Sequence, residues 1–366
     1  MFSELDIRMM HTALDLAQEG RYSTSPNPRV GCVLAHGSQI VGQGFHLIAG
    51  GPHAEVHALN QAGSLTKGAT AYVTLEPCSH YGRTPPCAQA LIQAGVSRVV
   101  AAMTDPNPLV AGKGLAMLQA AGIDAQSGLL ESEARLLNRG FLSRIERNHP
   151  YITIKSAASM DGKTALSDGQ SQWITGPAAR ADVHRLRAES CAVLTGVGTI
   201  LADDPLLNVR TLPTLRQPSR IILDSRLRTP VHSQIIQDIH SPTLLVTLNT
   251  HPQDHARFQN SPHVRILPAV EKNGKIDLAA LMPALAAEHF GHILVEAGAT
   301  LSGAFLQEQL ADEIILYQSA KILGHDARAL FKLPQNANVL KSEADWQPSH
   351  CEILERDVKI TFQMIK

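Results

Sequence analysis

The sequence lacks a charge imbalance, and it lacks any long apolar segment. Its 366 residues hold 32 Lys and Arg against 33 Asp and Glu, which leaves a net charge of −1. A chain so balanced has no long-range field to attract nucleic acid or an acidic membrane. Charged residues interrupt the apolar positions of residues 1–20, so this segment does not read as a signal peptide, and no apolar run approaches the roughly 18 residues of a membrane span. We therefore expect a cytoplasmic protein with neither nucleic acid nor a membrane as partner.

Cysteine is scarce, and the sequence has no internal repeat and no low-complexity segment. The chain holds five cysteines, at positions 32, 78, 87, 191 and 351. An odd and scattered set does not indicate a disulfide framework, so in a reducing compartment these thiols are buried side chains or metal ligands. Hydrophobic residues make up 44% of the chain and charged residues 18%, which is typical of a globular protein.

The length favours two domains, because a chain of this size exceeds one ordinary core. In the first part, strands are predicted at 29–35, 69–75 and 97–103, and helices at 53–62, 88–94, 109–121 and 131–145. This alternation is typical of a layered α/β domain. The run Asn148-His149-Pro150 breaks the last helix, so we place the domain boundary between residues 147 and 148.

The second part alternates in the same way. Strands are predicted at 191–196, 220–224, 243–248 and 292–296, a helix at 178–189, and an antiparallel hairpin at 351–365. Residues 231–263 are predicted to be surface loops around one strand. The predicted fold is therefore α/β, with domains at 1–147 and 148–366.

Four residues of the first domain form a pattern with metal chemistry. His53 and Glu55 follow Pro52, and Cys78 and Cys87 come later, each after a proline. One His and two Cys supply three ligands for Zn²⁺ and leave a fourth position open for water, which marks a catalytic site rather than a structural one. Pro52 favours a helix start, where Glu55 can carry a proton from the water to a leaving amine.

Each fragment of this pattern also has an ordinary explanation. A lone His at a helix start is commonly a cap or a core residue, and two cysteines are commonly small buried hydrophobes. Taken together and in this order, the residues match the deaminase signature H-x-E … P-C-x-x-C. They depart from it in one respect, since eight residues and not two separate the cysteines.

The longer spacing is shared with a known family. Residues 76–87 (EPCSHYGRTPPC), 27–32 (NPRVGC) and 50–58 (GGPHAEVHA) resemble the deaminase half of the bifunctional deaminase/reductases of riboflavin biosynthesis. The resemblance implies a cytidine-deaminase-like α/β/α fold in the first domain. It implies zinc ligands and a proton shuttle, namely His53, Cys78 and Cys87 for the metal and Glu55 for the proton. It also implies three residues along the substrate pocket: Asn27, His46 and Arg83.

Segments of the second part resemble the reductase half of the same family, which has a dihydrofolate-reductase-like α/β fold. They are 155–162 (KSAASMDG), 171–175 (SQWIT), 195–205 (TGVGTILADDP) and 295–298 (VEAG). The resemblance therefore covers nearly the whole chain, and it implies NADPH as the second cofactor.

The family pattern carries over residue by residue. The implied NADPH contacts are Ala157, Trp173, Thr199, Asp203, Ser225, Gly298, Ala299, Thr300, Leu301, Ser302, Gly303 and Ala304. The implied substrate contacts are Ser171, Arg187, Leu207, Arg210 and Glu296. Lys155 and Asp161 also match the family, but the sequence assigns them no chemical role.

Some of these contacts also make chemical sense. The predicted strand 292–296 runs into a glycine-containing turn at 298–303 and then a predicted helix at 304–309, and such a turn presents backbone N–H groups to a phosphate. Guanidinium groups such as those of Arg187 and Arg210 match phosphate as well. Two ordinary alternatives stay open, a solvated helix face for Arg187 and a packed core for Trp173.

We expect a homo-oligomeric, bifunctional enzyme that acts on a small phosphorylated pyrimidine. The resemblance implies that the first domain deaminates 2,5-diamino-6-(5-phosphoribosylamino)pyrimidin-4-one and that the second reduces the ribosyl side chain to ribityl with NADPH. One alternative is a nucleic-acid or nucleoside deaminase with an appended nucleotide-binding domain; the absence of a basic stripe argues against nucleic acid. Another is a zinc-stabilised scaffold, which would want a fourth protein ligand.

Overall fold

The computed structural model describes residues 2–80, 85–108, 110–334 and 345–365. The chain divides into two compact units, Met1–His149 and Pro150–Lys366. Within the described ranges, no helix is both long enough and apolar enough to cross a membrane.

The first unit is built, in its described part, on a five-stranded sheet. In chain order its elements are α1 (Glu4–Glu19), β1 (Gly31–His36), β2 (Gln39–Phe45), α2 (Ala54–Ala62), β3 (Thr70–Val73), α3 (Cys87–Gln93), β4 (Arg98–Ala101), α4 (Lys113–Ala120), β5 (Asp124–Ser127), α5 (Glu131–Leu137) and α6 (Arg139–Arg147). The strand order is β2-β1-β3-β4-β5. Strand β1 is antiparallel to both of its neighbours, and β3, β4 and β5 run parallel.

Strand β1 shows how the sequence builds two covered faces. Successive side chains of a strand point to opposite sides of the sheet. Val33 and Ala35 pack with residues of α1, α5 and α6, whereas Cys32 and Leu34 pack with residues of α2, α3 and α4. The result is an α/β/α sandwich. Because β1 is buried on both sides, its sequence is a nearly continuous apolar run.

The second unit contains a nine-stranded mixed sheet among its described residues. Its elements are β6 (Tyr151–Ala158), β7 (Lys163–Ala165), α7 (Pro177–Glu189), β8 (Ala192–Gly196), α8 (Val197–Asp203), β9 (Ser219–Leu223), α9 (Gln234–Gln237), β10 (Thr243–Thr247), α10 (Pro252–Ala256), β11 (Val264–Pro268), β12 (Glu271–Lys272), β13 (Lys275–Ile276), α11 (Leu278–Ala287), β14 (His292–Val295), α12 (Ala299–Gln307), β15 (Glu313–Ser319), β16 (Arg328–Ala329), β17 (Trp346–Leu354) and β18 (Asp357–Met364).

The order of this sheet is β11-β10-β9-β8-β14-β6-β15-β18-β17. All neighbours from β11 to β15 run parallel, and β18 is antiparallel to both of its neighbours, β15 and β17. Leu194 and Val295 pack on one face with α11 and α12, and Val193 and Ile222 pack on the other with α8 and α9. The segments that follow the parallel strands therefore meet at one edge of the sheet, the usual place for a ligand in such folds.

In the first unit, three elements differ from the sequence prediction. The single helix predicted at 131–145 is two helices, α5 and α6, because Asn138 separates them. Its side chain accepts from the backbone N–H of Arg29 over 2.8 Å and donates to the Arg29 carbonyl over 2.9 Å. Strands β2 and β5 are unpredicted edge strands, since β2 contains Gly42 and Gly44 and β5 is mostly polar.

In the second unit, two predictions are wrong. Residues 231–263 include helices α9 and α10, and Ile235 and Ile236 lie buried in the core, so the segment is more than surface loops around one strand. Helix α12 begins at Ala299 with Gly298 as its N-cap, so 298–303 is not a turn before a helix at 304. Gly303 lies inside the helix, and this helical position needs a glycine because a Cβ there would come 2.3 Å from the Lys332 carbonyl oxygen.

Candidate active sites

Three metal-ligating side chains converge in the first unit. The Nδ1 atom of His53 lies 3.3 Å from Cys87 Sγ and 3.7 Å from Cys78 Sγ, and the three donor atoms all lie within 4.8 Å of one another. Tetrahedral Zn²⁺ with bonds of about 2.0–2.3 Å sets its ligand atoms roughly 3.5 Å apart. Among the described residues, the cluster has these three members. The donor set therefore fits a zinc ion with one position left open.

Each ligand lies where a helix begins or a strand has ended. His53 is the N-cap of α2, Cys87 is the first residue of α3, and Cys78 follows β3. Two helix N-termini therefore lie at the cluster, and their partial positive charges favour thiolates. The backbone N–H of Cys87 also donates to Cys78 Sγ over 3.3 Å.

Helix α2 reaches the cluster because strand β2 lets it come close. A Cβ on Gly44 would lie 2.4 Å from His57 Cβ and 2.8 Å from the Ala54 carbonyl oxygen. A Cβ on Gly42 would lie 2.3 Å from the Ala58 carbonyl oxygen. The two glycines that make β2 hard to predict from the sequence therefore allow α2 to pack closely against this strand.

A buried carboxylate fixes the loop that carries Cys78. Glu76 is 3% exposed, and its oxygens accept four backbone hydrogen bonds of 2.8–3.2 Å, from the N–H groups of Asp105, Gly112, Gly114 and Leu115. Three of these N–H groups belong to the start of α4, where a negative charge is favourable. Neither the apolar pattern nor the metal-ligand pattern of the sequence predicts this role of Glu76. Its position two residues before the ligand Cys78 is the one sequence feature that points to it.

Glu55 lies in the first turn of α2 and is 3% exposed. Burial raises the pKa of Glu55 above its ordinary value, and His53 opposes the rise. A carboxyl group with a raised pKa can both accept and return a proton near neutral pH. The hydrogen bond from Cys87 lowers the pKa of the Cys78 thiol, which favours its thiolate form.

Two of the three residues predicted for the substrate pocket lie beside the cluster. The ring of His46 meets that of His53 edge-on, with centroids 5.6 Å apart. His46 Nδ1 lies 3.0 Å from the Pro52 carbonyl oxygen, and its Nε2 lies 3.2 Å from Asn27 Nδ2. Burial lowers the pKa of His46, which suits a neutral ring that donates at one nitrogen and accepts at the other. The third residue, Arg83, lies outside the described residues.

In the second unit, a buried glutamate organises the candidate substrate site. Glu296 follows β14, and its carboxylate pairs with Arg187 through two bonds of 2.6 and 3.0 Å and with Lys155 Nζ at 3.0 Å. Burial by itself raises the pKa of Glu296, but Arg187 and Lys155 outweigh it and hold the pKa below its ordinary value. Lys155, which the sequence leaves without a role, is thus a partner of Glu296.

Arg210 lies close to this group but is itself exposed. Its guanidinium donates to Asn208 Oδ1 over 2.5 Å, and Arg187 Nη1 donates to the Asn208 carbonyl oxygen over 3.1 Å. Burial, together with Arg187 and Arg210, lowers the pKa of His184 to about 4. Two guanidinium groups, those of Arg187 and Arg210, and a neutral His184 therefore lie together. This arrangement fits an anionic group such as phosphate.

The remaining predicted contacts differ in how accessible they are. Trp173 is 61% exposed, so the core-packing alternative for it is wrong, and the Arg180 guanidinium lies 4.5 Å from its ring centroid. Leu207 is 4% exposed, within a hydrophobic cluster. Ser171 is half-buried.

Most of the residues predicted to contact NADPH lie along the carboxyl edge of the parallel strands. Ala157 is near the end of β6, Thr199 and Asp203 lie in α8 after β8, and residues 298–304 form the N-cap and first turns of α12 after β14. Strands β8, β14 and β6 are neighbours in the sheet. Helix α12 begins after Gly298, and the backbone N–H groups of such a helix start suit a phosphate.

A cavity of about 240 Å³ opens beside the end of β9. It is lined by Val197, Leu223, Ser225, Arg226, Arg228 and Gly274. Only Ser225 is predicted from the family pattern. The sequence signal for the other polar side chains is two arginines within five residues of a strand end, and together they suit a phosphate group.

Comparison with known proteins covers both units. Residues 150–360 match the model of the RibD C-terminal domain, and residues 3–103 match that of the cytidine and deoxycytidylate deaminase zinc-binding region. Riboflavin biosynthesis protein RibD of Escherichia coli (strain K12) is 52% identical over 338 residues, which cover 89% of this chain and 90% of that protein. The chain belongs to the RibD family.

Two solved structures agree with this membership. Acinetobacter baumannii RibD, form 1, matches with a TM-score of 0.91 at 44% identity, over 99% of both chains. A deaminase/reductase from Thermotoga maritima matches with a TM-score of 0.87 at 30% identity, again over 99% of both chains. The predicted family and the fold of each domain are confirmed. So are the bifunctional deaminase and reductase activity in riboflavin biosynthesis and the cofactors zinc and NADPH.

Proposed function

We propose that the first unit hydrolyses the 2-amino group of 2,5-diamino-6-(5-phosphoribosylamino)pyrimidin-4-one, and that the second reduces the ribosyl side chain of the deaminated product. The observation that supports the proposal most directly is the cluster of His53, Cys78 and Cys87, with buried Glu55 in the first turn of the helix that His53 caps. The Thermotoga maritima relative is described as a diaminohydroxyphosphoribosylaminopyrimidine deaminase and 5-amino-6-(5-phosphoribosylamino)uracil reductase, which supports these substrates.

In the deaminase site, each residue has a proposed task. Zinc held by His53, Cys78 and Cys87 supplies a Lewis acid that activates water. Glu55 takes a proton from the attacking water and returns it to the leaving amine, and its burial and raised pKa support this task. The pyrimidine is proposed to contact Asn27 and His46, which lie beside the cluster, and the predicted contact Arg83.

In the reductase site, the chain binds and orients two molecules. NADPH supplies the hydride. Its phosphates are proposed to lie at the start of α12 and in the cavity lined by Ser225, Arg226 and Arg228; its other proposed contacts are Ala157, Trp173, Thr199 and Asp203. The substrate is proposed to contact Ser171, Arg187, Leu207, Arg210 and Glu296. Holding the two reactants in register accounts for much of the rate without a dedicated acid or base.

We also propose that the protein is a homo-oligomer. Strand β17 forms one edge of the large sheet, and nearly all of its side chains are exposed, including Ile353 at 77%. An exposed edge of nine residues is a natural place for a second copy to pair. Light scattering of the intact chain should give an oligomer at micromolar concentration, and a monomer there would contradict the proposal. Cytoplasmic location and the absence of a nucleic-acid partner stay predictions from composition.

The experiment that tests the proposed function follows both products at once. The pure protein is incubated with the diaminopyrimidine and NADPH while ammonia and NADPH oxidation are recorded. We expect ammonia to appear first and one NADPH to be consumed for each substrate processed. Ammonia release from single-stranded DNA or RNA, with none from the diaminopyrimidine, would favour the alternative of a nucleic-acid deaminase.

A further inference from the structure

Asp161 makes contacts that the proposed function does not use. It lies in the turn that follows β6, and its side chain is exposed to solvent. Its Oδ1 accepts from the Ser159 hydroxyl over 2.5 Å and from the backbone N–H of Leu323 over 3.1 Å, and its Oδ2 accepts from the backbone N–H of Gly324 over 2.8 Å. One carboxylate therefore holds both its own turn and the segment that follows β15.

A second set of bonds extends this tether to the candidate cofactor site. The backbone N–H of Met160 donates to the Lys321 carbonyl over 2.7 Å, and the Gln318 side chain donates to the Met160 carbonyl over 3.3 Å. The ammonium group of Lys321 donates to the carbonyl oxygen of Trp173. Asp161 is thus connected, through residues 319–324, to the backbone of a residue that is proposed to contact NADPH.

The placement of the tether also matters. Strands β6 and β15 are parallel neighbours, so the turn of Asp161 and the segment 319–324 leave the sheet at the same edge as Ala157. The side chain of Asp161 adds nothing to the apolar core, because it is exposed, so its bonds serve to order loops rather than to bury surface. Ordering a loop before a ligand arrives reduces the entropy lost on binding.

We propose that Asp161 is a positioning residue, which orders segment 319–324 and, through Lys321, sets the backbone of Trp173 for NADPH. This inference rests on the proposed cofactor site. The hydrogen bond from Ser159, with those from Leu323 and Gly324, lowers the pKa of Asp161 to about 2. The carboxylate therefore stays charged, and its bonds stay charge-assisted, over the whole pH range of an enzyme assay.

The test compares Asp161→Asn with Lys321→Met in the full-length, zinc-loaded protein. An asparagine keeps one acceptor oxygen but presents an NH₂ group where Gly324 needs an acceptor. The matched control is Asp168→Asn, since the Asp168 carboxylate accepts from Gln170 N–H within one local turn. The readouts are the NADPH dissociation constant by fluorescence titration, hydrogen exchange of the Leu323 and Gly324 amides, Tm, and the ammonia-release rate.

We expect each of the two tether variants to raise the NADPH dissociation constant and KM roughly tenfold, with kcat changed far less. Exchange at Leu323 and Gly324 should accelerate in Asp161→Asn, and the double variant should be little worse than either single one, because both act on one path. Asp161→Glu, which keeps the charge, should restore part of the affinity. Ammonia release, Tm and the control variant should match the unaltered protein.

Two outcomes would overturn the inference. Faster exchange at Leu323 and Gly324 with unchanged NADPH affinity would show that the tether orders the loop without serving the cofactor. A joint loss of Tm and of ammonia release would show folding damage in place of positioning. If the unaltered protein itself failed to bind NADPH, the proposed cofactor site would fail, which is a separate result from either of these.

Discussion

Glu55 and Glu296 are both buried glutamates, but their surroundings move their pKa values in opposite directions. Burial dominates at Glu55 and raises its pKa, whereas at Glu296 the neighbours Arg187 and Lys155 overcome burial and lower it. A raised pKa suits a group that exchanges protons, and a lowered one suits a permanent anion that holds cations in place. The sequence pattern predicts the first role, but it pairs no cations with Glu296, because Glu296 and its two partners come together only in the fold.

At the level of single ligands, Cys87→Ala should abolish bound zinc and ammonia release. Two remaining ligands hold zinc much less firmly than three, while the reductase site contains none of these residues. Metal analysis and both activity assays check this, with Cys351→Ala as the matched control because Cys351 is exposed and distant in sequence from the cluster. Normal deamination by a zinc-free Cys87→Ala protein would contradict the assignment.

The arginines of the proposed substrate site should behave differently from each other. Arg210 is exposed, so Arg210→Ala should lower the reductase kcat/KM for the phosphorylated substrate by roughly 10- to 100-fold. A dephosphorylated substrate should be affected far less. Equal losses with both substrates would argue against a phosphate contact.

Arg187→Ala should in addition destabilise the second unit, since it leaves buried Glu296 with Lys155 alone. Removing one partner of a buried ion pair costs about 3 kcal/mol. Folding lowers the pKa of Glu296, so the stabilisation is present above the unfolded pKa of about 4.3 and is lost as the pH falls through the folded value. Denaturant unfolding should therefore show a large difference between the two proteins at pH 7 that shrinks at strongly acidic pH.

At the level of elements, the apolar pattern of the sequence predicts strands such as β1, β3, β8 and β14, and it places the starts of α2 and α3 within one residue. Edge strand β2 escapes prediction because its glycines serve a close approach that only the fold reveals. The start of α12 escapes for a related reason, since Gly303 is taken for a turn residue when it allows packing against Lys332. In both cases, a glycine whose sequence context indicates a turn or a break instead allows two elements to pack closely.

Gly44→Ala tests whether the approach of α2 to β2 sets the zinc site. The new Cβ would lie 2.4 Å from His57 Cβ and 2.8 Å from the Ala54 carbonyl, so α2 must shift, at a cost of about 1–3 kcal/mol. Zinc content and ammonia release should fall while the reductase rate holds. Gly198→Ala, where a Cβ meets nothing within 4 Å, is the control for zinc content, and equal zinc loss in both variants would contradict the explanation.

At the level of the whole molecule, the two sites belong to different compact units. The zinc cluster lies within Met1–His149 and the proposed NADPH contacts within Pro150–Lys366. The boundary follows from a helix break that the sequence displays. The role of each reductase residue does not follow from periodicity or charge, because contacts such as Lys155 with Glu296 join positions far apart in the chain; there the family resemblance supplied the prediction.

We expect the activities to separate with the chain. A fragment of residues 1–147 should bind zinc and release ammonia without any nucleotide, and a fragment of residues 148–366 should oxidise NADPH with the deaminated product. Each fragment is long enough for its own core. A folded first fragment that holds zinc but deaminates only when the second is added would mean that the active site is shared.

The most direct test of the account is a measurement on full-length Glu55→Gln with each substrate in turn. Zinc content should be unchanged, and ammonia release from the diaminopyrimidine should fall by about 10²–10⁴-fold. NADPH oxidation should fall with it when the diaminopyrimidine is supplied, yet run at the normal rate when the deaminated product is supplied. Normal ammonia release by this variant, or rapid NADPH oxidation with the diaminopyrimidine, would contradict two separate sites that act in this order.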